Sequence, residues 1–296
     1  MHKTVLLNEA IEGLNLKNKS IVVDATFGGG GHSLEICKKF SGVKLIALDQ
    51  DRGALAEGKK KFKDVECEIS FHNENFRNLD AVLAKEGVEE VDGIIFDLGL
   101  SSDQLESSGR GFSFMKDEPL EMTMKENPLP EDVTAYDVVN SWSEENLADI
   151  IYGYGEERSS RKIAHAIVEA RAKRKIETTK DLVEIIESVI PRRFQKGKIH
   201  CATKTFQAIR IAVNDELGAL TQGLAKGFDA LSVGGRMSVI SFHSLEDRIV
   251  KRFSRTMAED GKAKLINKKV ISGSAEEIKN NPRARSAKLR IIEKIR

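Results

Sequence analysis

The stretch Ser20-Ile-Val-Val-Asp24-Ala-Thr-Phe-Gly28-Gly-Gly-Gly31-His32-Ser33 decides how this 296-residue chain is read. Ile21, Val22 and Val23 form a short β-branched run, which suits a strand buried on both faces. Asp24 ends the run. Four glycines follow, and then a helical pattern from Ser33 to Phe40. Strand, glycine turn and helix in that order form the ligand-cradling corner of a doubly wound α/β domain. Glycine lets backbone N–H groups approach a ligand closely and tolerates positive φ.

The rhythm continues outward from this corner. Further apolar runs predict strands at Lys44–Asp49, about Glu66–Phe71 and Gly93–Leu98, with helices at Ala54–Phe62 and Leu79–Gly87 between them. Strands alternating with helices at this spacing predict a parallel sheet with right-handed crossovers. The alternation stops after residue 104. From 105 to 204 the chain shows helical patterns at Glu144–Tyr152, Ser159–Arg174 and Thr179–Ile190, and no buried strand. From Thr205 to Leu231 apolar residues recur every three or four positions, which predicts one long amphipathic helix. A fifth strand is expected at Arg236–Ser241, and Lys264–Ile271 and Ala287–Ile295 form a closing pair of strands. The expected organisation is an α/β domain of residues 1–104 and 205–296, with an inserted helical domain of residues 105–204.

Composition narrows the class. Hydrophobic residues make up 40% and charged residues 31%, enough for a core under a soluble surface. No run approaches the ~18 apolar residues of a membrane span, and no secretory leader is visible. The three cysteines, Cys37, Cys67 and Cys201, are far apart without a C-x-x-C pair, so neither a disulfide nor a zinc cluster is expected, and the cytoplasm is the default compartment. Net charge is only +1, yet the span from His243 to Arg296 holds 15 Lys/Arg against 7 Asp/Glu. Residues 191–204 add Arg192, Arg193, Lys196, Lys198 and Lys204 with no acid. Such bias fits either a nucleic-acid footprint or a solvated face.

The spacing of acids points to the ligand. Asp49 ends the second strand, where an acid meets the ribose hydroxyls of a bound nucleotide. The register Gly28-x-Gly30-x-x-Ser33 lacks the third glycine of a dinucleotide fingerprint. Asp24, directly before the loop, disfavours a pyrophosphate and suits a ligand with an amino group or a cationic centre. S-adenosylmethionine has both, so the residues favour a methyl donor over NAD. Asp97 and Gln104 flank the end of the fourth strand, beside the glycine loop in the usual strand order.

The longer motifs agree with one another. His2-x-x-Val5-Leu6-Leu7, Asp24-Ala-Thr-Phe-Gly-Gly-Gly-Gly-His32-Ser33, Asp49-Gln-Asp51, Asn75-Phe76, Asp97-Leu-Gly-Leu-Ser-Ser-x-Gln104 and Arg110-Gly-Phe-Ser-Phe114 stand in the first part of the chain. Tyr154-Gly-Glu-Glu-Arg158, Thr205-Phe-Gln-Ala-Ile-Arg-Ile211, Asn214-Asp-Glu-Leu217, Ser241-Phe-His-Ser-Leu-Glu-Asp-Arg248 and Asn281-Pro-Arg-Ala-Arg-Ser-Ala-Lys-Leu-Arg290 follow. Over nearly its whole length the chain resembles the bacterial small-subunit ribosomal RNA cytidine-N4 methyltransferases, the RsmH/MraW type. The resemblance implies a class I, Rossmann-like methyltransferase sheet carrying an inserted helical domain that recognises substrate. It implies S-adenosylmethionine as methyl donor, bound by Gly30, Gly31, His32, Asp49, Phe76, Asp97 and Gln104. Phe76 is then expected to pack on the adenine. The implied partner is 16S rRNA within the 30S subunit, modified on the N4 amine of a cytidine in the decoding region.

Two features depart from that family. Its usual Leu-Asp-Met-Arg-Met reads Leu120-Glu-Met-Thr123-Met124 here, so an arginine that would touch RNA or order a loop is missing. A cysteine-rich patch after the fifth strand is absent, so no metal is expected. The catalytic residue stays open, with Asp97 and His243 as candidates; the bland reading of His243 is a helix cap. Gln207, Arg210 and Asn214 lie off the apolar stripe of their helix and are candidates for the substrate cleft. A DNA amino-methyltransferase is disfavoured, because Leu98-Gly99 stands where that class carries Pro-Pro-aromatic. A non-catalytic ribosome-assembly factor is the third class. The sequence does not distinguish a monomer from a homodimer.

Overall fold

A computed structural model describes residues 4–195 and 199–296. His2 of the first motif and Lys196 and Lys198 of the basic segment lie outside the described residues. The chain divides into two compact units, residues 1–99 with 217–296, and residues 100–216.

The first unit is built on a seven-stranded sheet. Its strands are β1 (Ile21–Asp24), β2 (Lys44–Asp49), β3 (Glu68–Asn73), β4 (Val91–Asp97), β5 (Leu231–Ser241), β6 (Ala263–Leu265) and β7 (Lys288–Lys294), in the order β3-β2-β1-β4-β5-β7-β6. The first five run parallel, and β7 is antiparallel to both β5 and β6. This is the class I, Rossmann-like sheet that the resemblance implies. The expected Lys264–Ile271 strand is short, because after Leu265 the chain leaves the ladder and returns only as a bridge from Ile271 to Leu289.

Period-two alternation explains why the strands read as unbroken apolar runs. Val22, Leu45, Ala47, Ile95 and Ile240 point to one face, where Ile11, Leu14 and Ile36 cover them. Val23, Ile46, Leu48, Ile94, Phe96 and Val239 point to the other, under Leu79, Leu220, Leu224 and Phe228. Both faces are covered, so neither can be polar. The N-terminal lead-in is itself a helix, Leu7–Leu14, anchored by buried Ala10, Ile11 and Leu14.

The expectation about cysteines is corrected. Cys37 and Cys67 are joined as a disulfide, with Cα atoms 5.6 Å apart. Cys37 lies on the helix Gly31–Lys39, and Cys67 sits just before edge strand β3. Both belong to the same core face, so the crossover brings together two residues that are 30 apart in sequence.

The second unit is helical. Its core gathers Leu120, Val138, Val139, Leu147, Ile151, Ile163, Ile167, Leu182, Ile186, Phe206 and Ile209. Its longer helices run Glu144–Gly153, Ser160–Lys173, Thr179–Val189 and Thr203–Asn214. Thr178 caps the third in a capping box with Asp181. The expected single helix from Thr205 to Leu231 is two, Thr203–Asn214 and Glu216–Ala230. Asp215 separates them with φ 44, a left-handed conformation that no helix interior holds. The second unit therefore extends to Glu216, beyond the expected limit at residue 204. Among the described residues no helix is long and apolar enough to cross a membrane.

Candidate functional site

Strand order places the glycine corner. β1 lies between β2 and β4, so their carboxyl ends carry Asp24, Asp49 and Asp97 side by side. The loop after β1 is tied down by its neighbours. Ala25 N–H donates to Ile95 O and Phe27 N–H to Leu48 O, both at 2.9 Å. Asp49 Oδ2 accepts from Gly28 N–H at 2.7 Å, and Oδ1 accepts from Asp51 N–H at 2.8 Å. The acid read as a ribose acceptor also anchors the loop.

Gly30 has φ +71, and a Cβ there would come 2.6 Å from Phe27 Cζ. At Gly31 a Cβ would collide with Thr4. These glycines are required for backbone geometry as well as for access. Gly30 precedes the helix Gly31–Lys39 without a side-chain cap, so the positive end of the helix dipole lies at the glycine loop. His32 is buried in that first turn, with Nδ1 3.7 Å from Asp97 Oδ2.

Asp24 does something different from the expected contact with a cationic ligand. It is only 2% exposed, accepts from Ser33 Oγ at 2.5 Å and from Thr26 N–H at 3.2 Å, and so latches strand to helix. Burial pushes its carboxyl up to about 6, against the pull of the Ser33 bond. Asp97 faces outward more, with its side chain 22% exposed. Its backbone N–H is held by Thr26 Oγ1 at 2.6 Å. Its Oδ1, though buried, has no hydrogen-bond partner among the described residues. Burial and then the nearby Asp24 charge push its carboxyl up to about 7, while the Arg283 guanidinium pulls it back. An unsatisfied buried acceptor is costly, and persists where a ligand supplies the donor.

The remaining candidates divide. Phe76 belongs to the same unit, edge-on to Phe96 at 5.5 Å and backed by Gly223, where a Cβ would come within 2.6 Å of the ring. Gln104 belongs to the helical unit, where its Oε1 accepts from Ser101 N–H at 2.9 Å. The structure therefore groups Gly30, Gly31, His32, Asp49, Phe76 and Asp97 in one unit and holds Gln104 in the other.

His243 is the N-cap of the helix Ser244–Glu259. Its Nδ1 accepts from Glu246 N–H, and Glu246 Oε2 accepts from the Phe242 and His243 N–H groups. The capping reading holds for Nδ1, while Nε2 lies 3.2 Å from Glu246 Oε1. The Arg283 guanidinium acts on the Asp97 carboxyl by its charge. Only its place in the Asn281-Pro-Arg motif marked it beforehand. Lys288 and Arg290 pair with Asp247, at 3.4 and 2.8 Å, so two of the basic motif's charges are used internally.

The three polar residues expected in the cleft are also internal. Gln207 donates to Tyr154 O, Arg210 pairs with Glu216 through two bonds, and Asn214 bonds Met122 O and Met124 N–H. That last loop holds Thr123, where the family carries arginine. Thr123 is buried, and its carbonyl accepts from Arg110 Nη1 at 3.1 Å. Position 123 thus faces the interior of the helical unit. Thr123→Arg would bury a second guanidinium beside Arg110 and should destabilise the protein by about 2–4 kcal/mol. Urea unfolding checks this: an unchanged midpoint with tighter RNA binding would return the position to the RNA surface.

A metal has one candidate within a unit. Glu187, His200 and Cys201 bring three donor atoms within 4.8 Å of one another. However, Ala202 N–H donates to His200 Nδ1 at 3.2 Å, which leaves the proton on Nε2, facing Glu187 Oε1. That tautomer is opposite to the one a metal bound at Nε2 requires. The residues do not fit a metal centre in this arrangement.

The chain is similar to known proteins over nearly its whole length. The chain is 48% identical to the ribosomal RNA small subunit methyltransferase H of Clostridium botulinum (strain Kyoto / Type A2), over 99% of both chains. The protein of that name from Clostridioides difficile (strain 630) is 45% identical, again over 99% of both. That from Brevibacillus brevis is 44% identical, over 99% of this chain and 98% of its own. The MraW methylase family profile matches residues 1–295, and with the glycine corner and its three carboxylates in place the chain belongs to that family.

Proposed function

We propose that this chain transfers a methyl group from S-adenosylmethionine to the N4 amine of a cytidine in the decoding region of 16S rRNA, within the 30S subunit. The observation that carries the reading is the half-buried Asp97 carboxylate at the end of β4 beside the glycine loop, whose Oδ1 has no hydrogen-bond partner among the described residues. The full-length relatives named as small-subunit rRNA methyltransferases support it. The donor-site residues are Gly30, Gly31, His32, Asp49, Phe76, Asp97 and Gln104. When bound, the donor supplies a sulfonium methyl, an electrophile that needs no activation. Asp49 accepts from ribose hydroxyls, Phe76 gives a flat apolar face to the adenine, and the N–H groups after Gly30 meet the amino-acid carboxylate.

The cytosine N4 amine is a poor nucleophile because its lone pair is delocalised into the ring. Positioning for in-line attack supplies most of the acceleration. Asp97 would accept an amine proton as the new N–C bond forms and the methyl–sulfur bond breaks, the bonding pair leaving on sulfur; loss of the proton returns the lone pair to nitrogen. The helical unit presents the RNA. The protein acts in the cytoplasm, as a monomer or a homodimer. Incubation with methyl-labelled donor and 30S particles, naked 16S rRNA or DNA tests the reading. Label is expected in the 16S rRNA of the particles; label in DNA, or none anywhere, overturns it.

A further inference from the structure

The motif Tyr154-Gly-Glu-Glu-Arg158 has no part in the donor site, and the structure shows what it builds. Gly155 is packed so tightly that a Cβ would come 2.6 Å from both Ile151 O and Lys204 O. Glu156 follows with φ 50. Glu157 turns back to accept from Ser159 N–H at 2.8 Å, ahead of the helix Ser160–Lys173. Three residues of the motif thus fix a sharp turn. The fourth, Arg158, is exposed and projects into a cavity of about 490 Å³ between the helices Glu144–Gly153 and Ser160–Lys173.

The lining of that cavity mixes two chemistries. Arg158, Arg161 and Lys162 supply three positive charges against one carboxylate, Asp149. Tyr152 lies beside them, 66% exposed. An aromatic ring held in water next to guanidinium groups is poorly matched to a protein core, but it matches a nucleotide. Bases stack on such rings, and guanidinium forks bind phosphate oxygens. The volume lies within the range of small-ligand sites.

We propose that this cavity is a subsite for one nucleotide of single-stranded RNA, with its base stacked on Tyr152 and its phosphates held by Arg158 and Arg161. Lys162 adds positive charge at the rim, and Asp149 accepts from an exocyclic amine of the base. The inference rests on the rRNA-directed reading above and extends it to a contact made by the helical unit.

The test uses the full-length protein and a fluorescein-labelled single-stranded RNA oligonucleotide, titrated over a series of salt concentrations. Tyr152→Ala is expected to weaken binding by about 5- to 150-fold with an unchanged salt slope. Tyr152→Phe is expected to bind like the parent. Arg158→Gln and Arg161→Gln are each expected to reduce the slope of log K against log salt by about 0.7, the release of one counterion. All three positions carry exposed side chains, and circular dichroism with donor affinity checks that each variant is folded.

Parent-like affinity and slope in every variant would overturn the subsite while leaving the methyltransferase reading intact, provided the parent binds RNA and labels 30S particles. Failure of the parent itself to bind RNA or label particles would overturn both. Loss of activity on 30S particles with unchanged oligonucleotide binding would assign the cavity to a ribosomal protein and overturn the RNA proposal.

Discussion

Asp97→Ala should lower methyl transfer by about 10²- to 10⁴-fold, the range for removing a positioned acid or base, in a protein that still folds. The argument is geometric first. Asp97 ends β4, its backbone is fixed by Thr26, and its Oδ1 lacks a hydrogen-bond partner among the described residues. A group held that way is available to the reacting amine. Charge then sets the pH dependence. Burial and Asp24 raise the Asp97 carboxyl to about 7, and only its ionised form accepts a proton. Turnover of the parent should therefore rise with pH through about 7, and Asp97→Asn should lose that limb along with the activity.

The same shift predicts a stability effect of opposite sense. In the unfolded chain Asp97 ionises near 4, whereas in the folded protein it holds its proton up to about 7. Between those values the folded state binds the extra proton, so this group's contribution to stability falls as pH rises. Asp97→Asn should match the parent near pH 4. Above pH 7 the unliganded variant should melt higher, by at least ~2–4 °C, which corresponds to about 1 kcal/mol for a chain of this size. Calorimetry at both pH values checks this. A variant that is inactive and also less stable at pH 8 would make Asp97 a structural residue.

Gly30→Ala is the second large effect. Position 30 sits at φ +71, where a non-glycine residue costs roughly 1–2 kcal/mol. The added methyl would also press on Phe27 and Phe62, at 2.6 and 3.1 Å. Those rings form a cluster with Phe71, with centroids 5.3 to 6.1 Å apart, and such overpacking costs about 1–3 kcal/mol. The sum, about 2–5 kcal/mol, should appear in urea unfolding together with a loss of donor affinity. Gly87→Ala is the control: its φ is +65, but no atom lies within 4 Å of the new Cβ. It should cost only the backbone strain and leave donor affinity unchanged. Equal losses in both variants would refute the packing argument.

The sheet was legible because its strands are buried on both faces, so Ile21–Asp24, Lys44–Asp49 and Gly93–Leu98 stand out as apolar runs. Their adjacency then brought Gly30, Asp49 and Asp97 together from spacing alone. Other features rest on contacts that no local pattern encodes. The apolar period continues unbroken from Val213 to Leu217, so the break at Asp215 was invisible. It is set by Asn214 bonding the 122–124 loop and by Arg210 pairing with Glu216. Polar residues off the stripe read as cleft-facing when they serve these internal ties. The pairing of Cys37 with Cys67 depends on a crossover between a helix and an edge strand, which spacing does not reveal. Arg283 likewise reaches Asp97 only through the fold of the C-terminal strands.

The most direct measurement is on the product. Small-subunit 16S rRNA labelled by the protein is digested to nucleosides and identified by mass spectrometry with authentic standards. The account predicts that the label resides in N4-methylcytidine from a single site in the decoding region, and that Asp97→Ala removes it. Label on a ring carbon, on a ribose hydroxyl or on another base would contradict the assignment of the cytosine amine as the methyl acceptor.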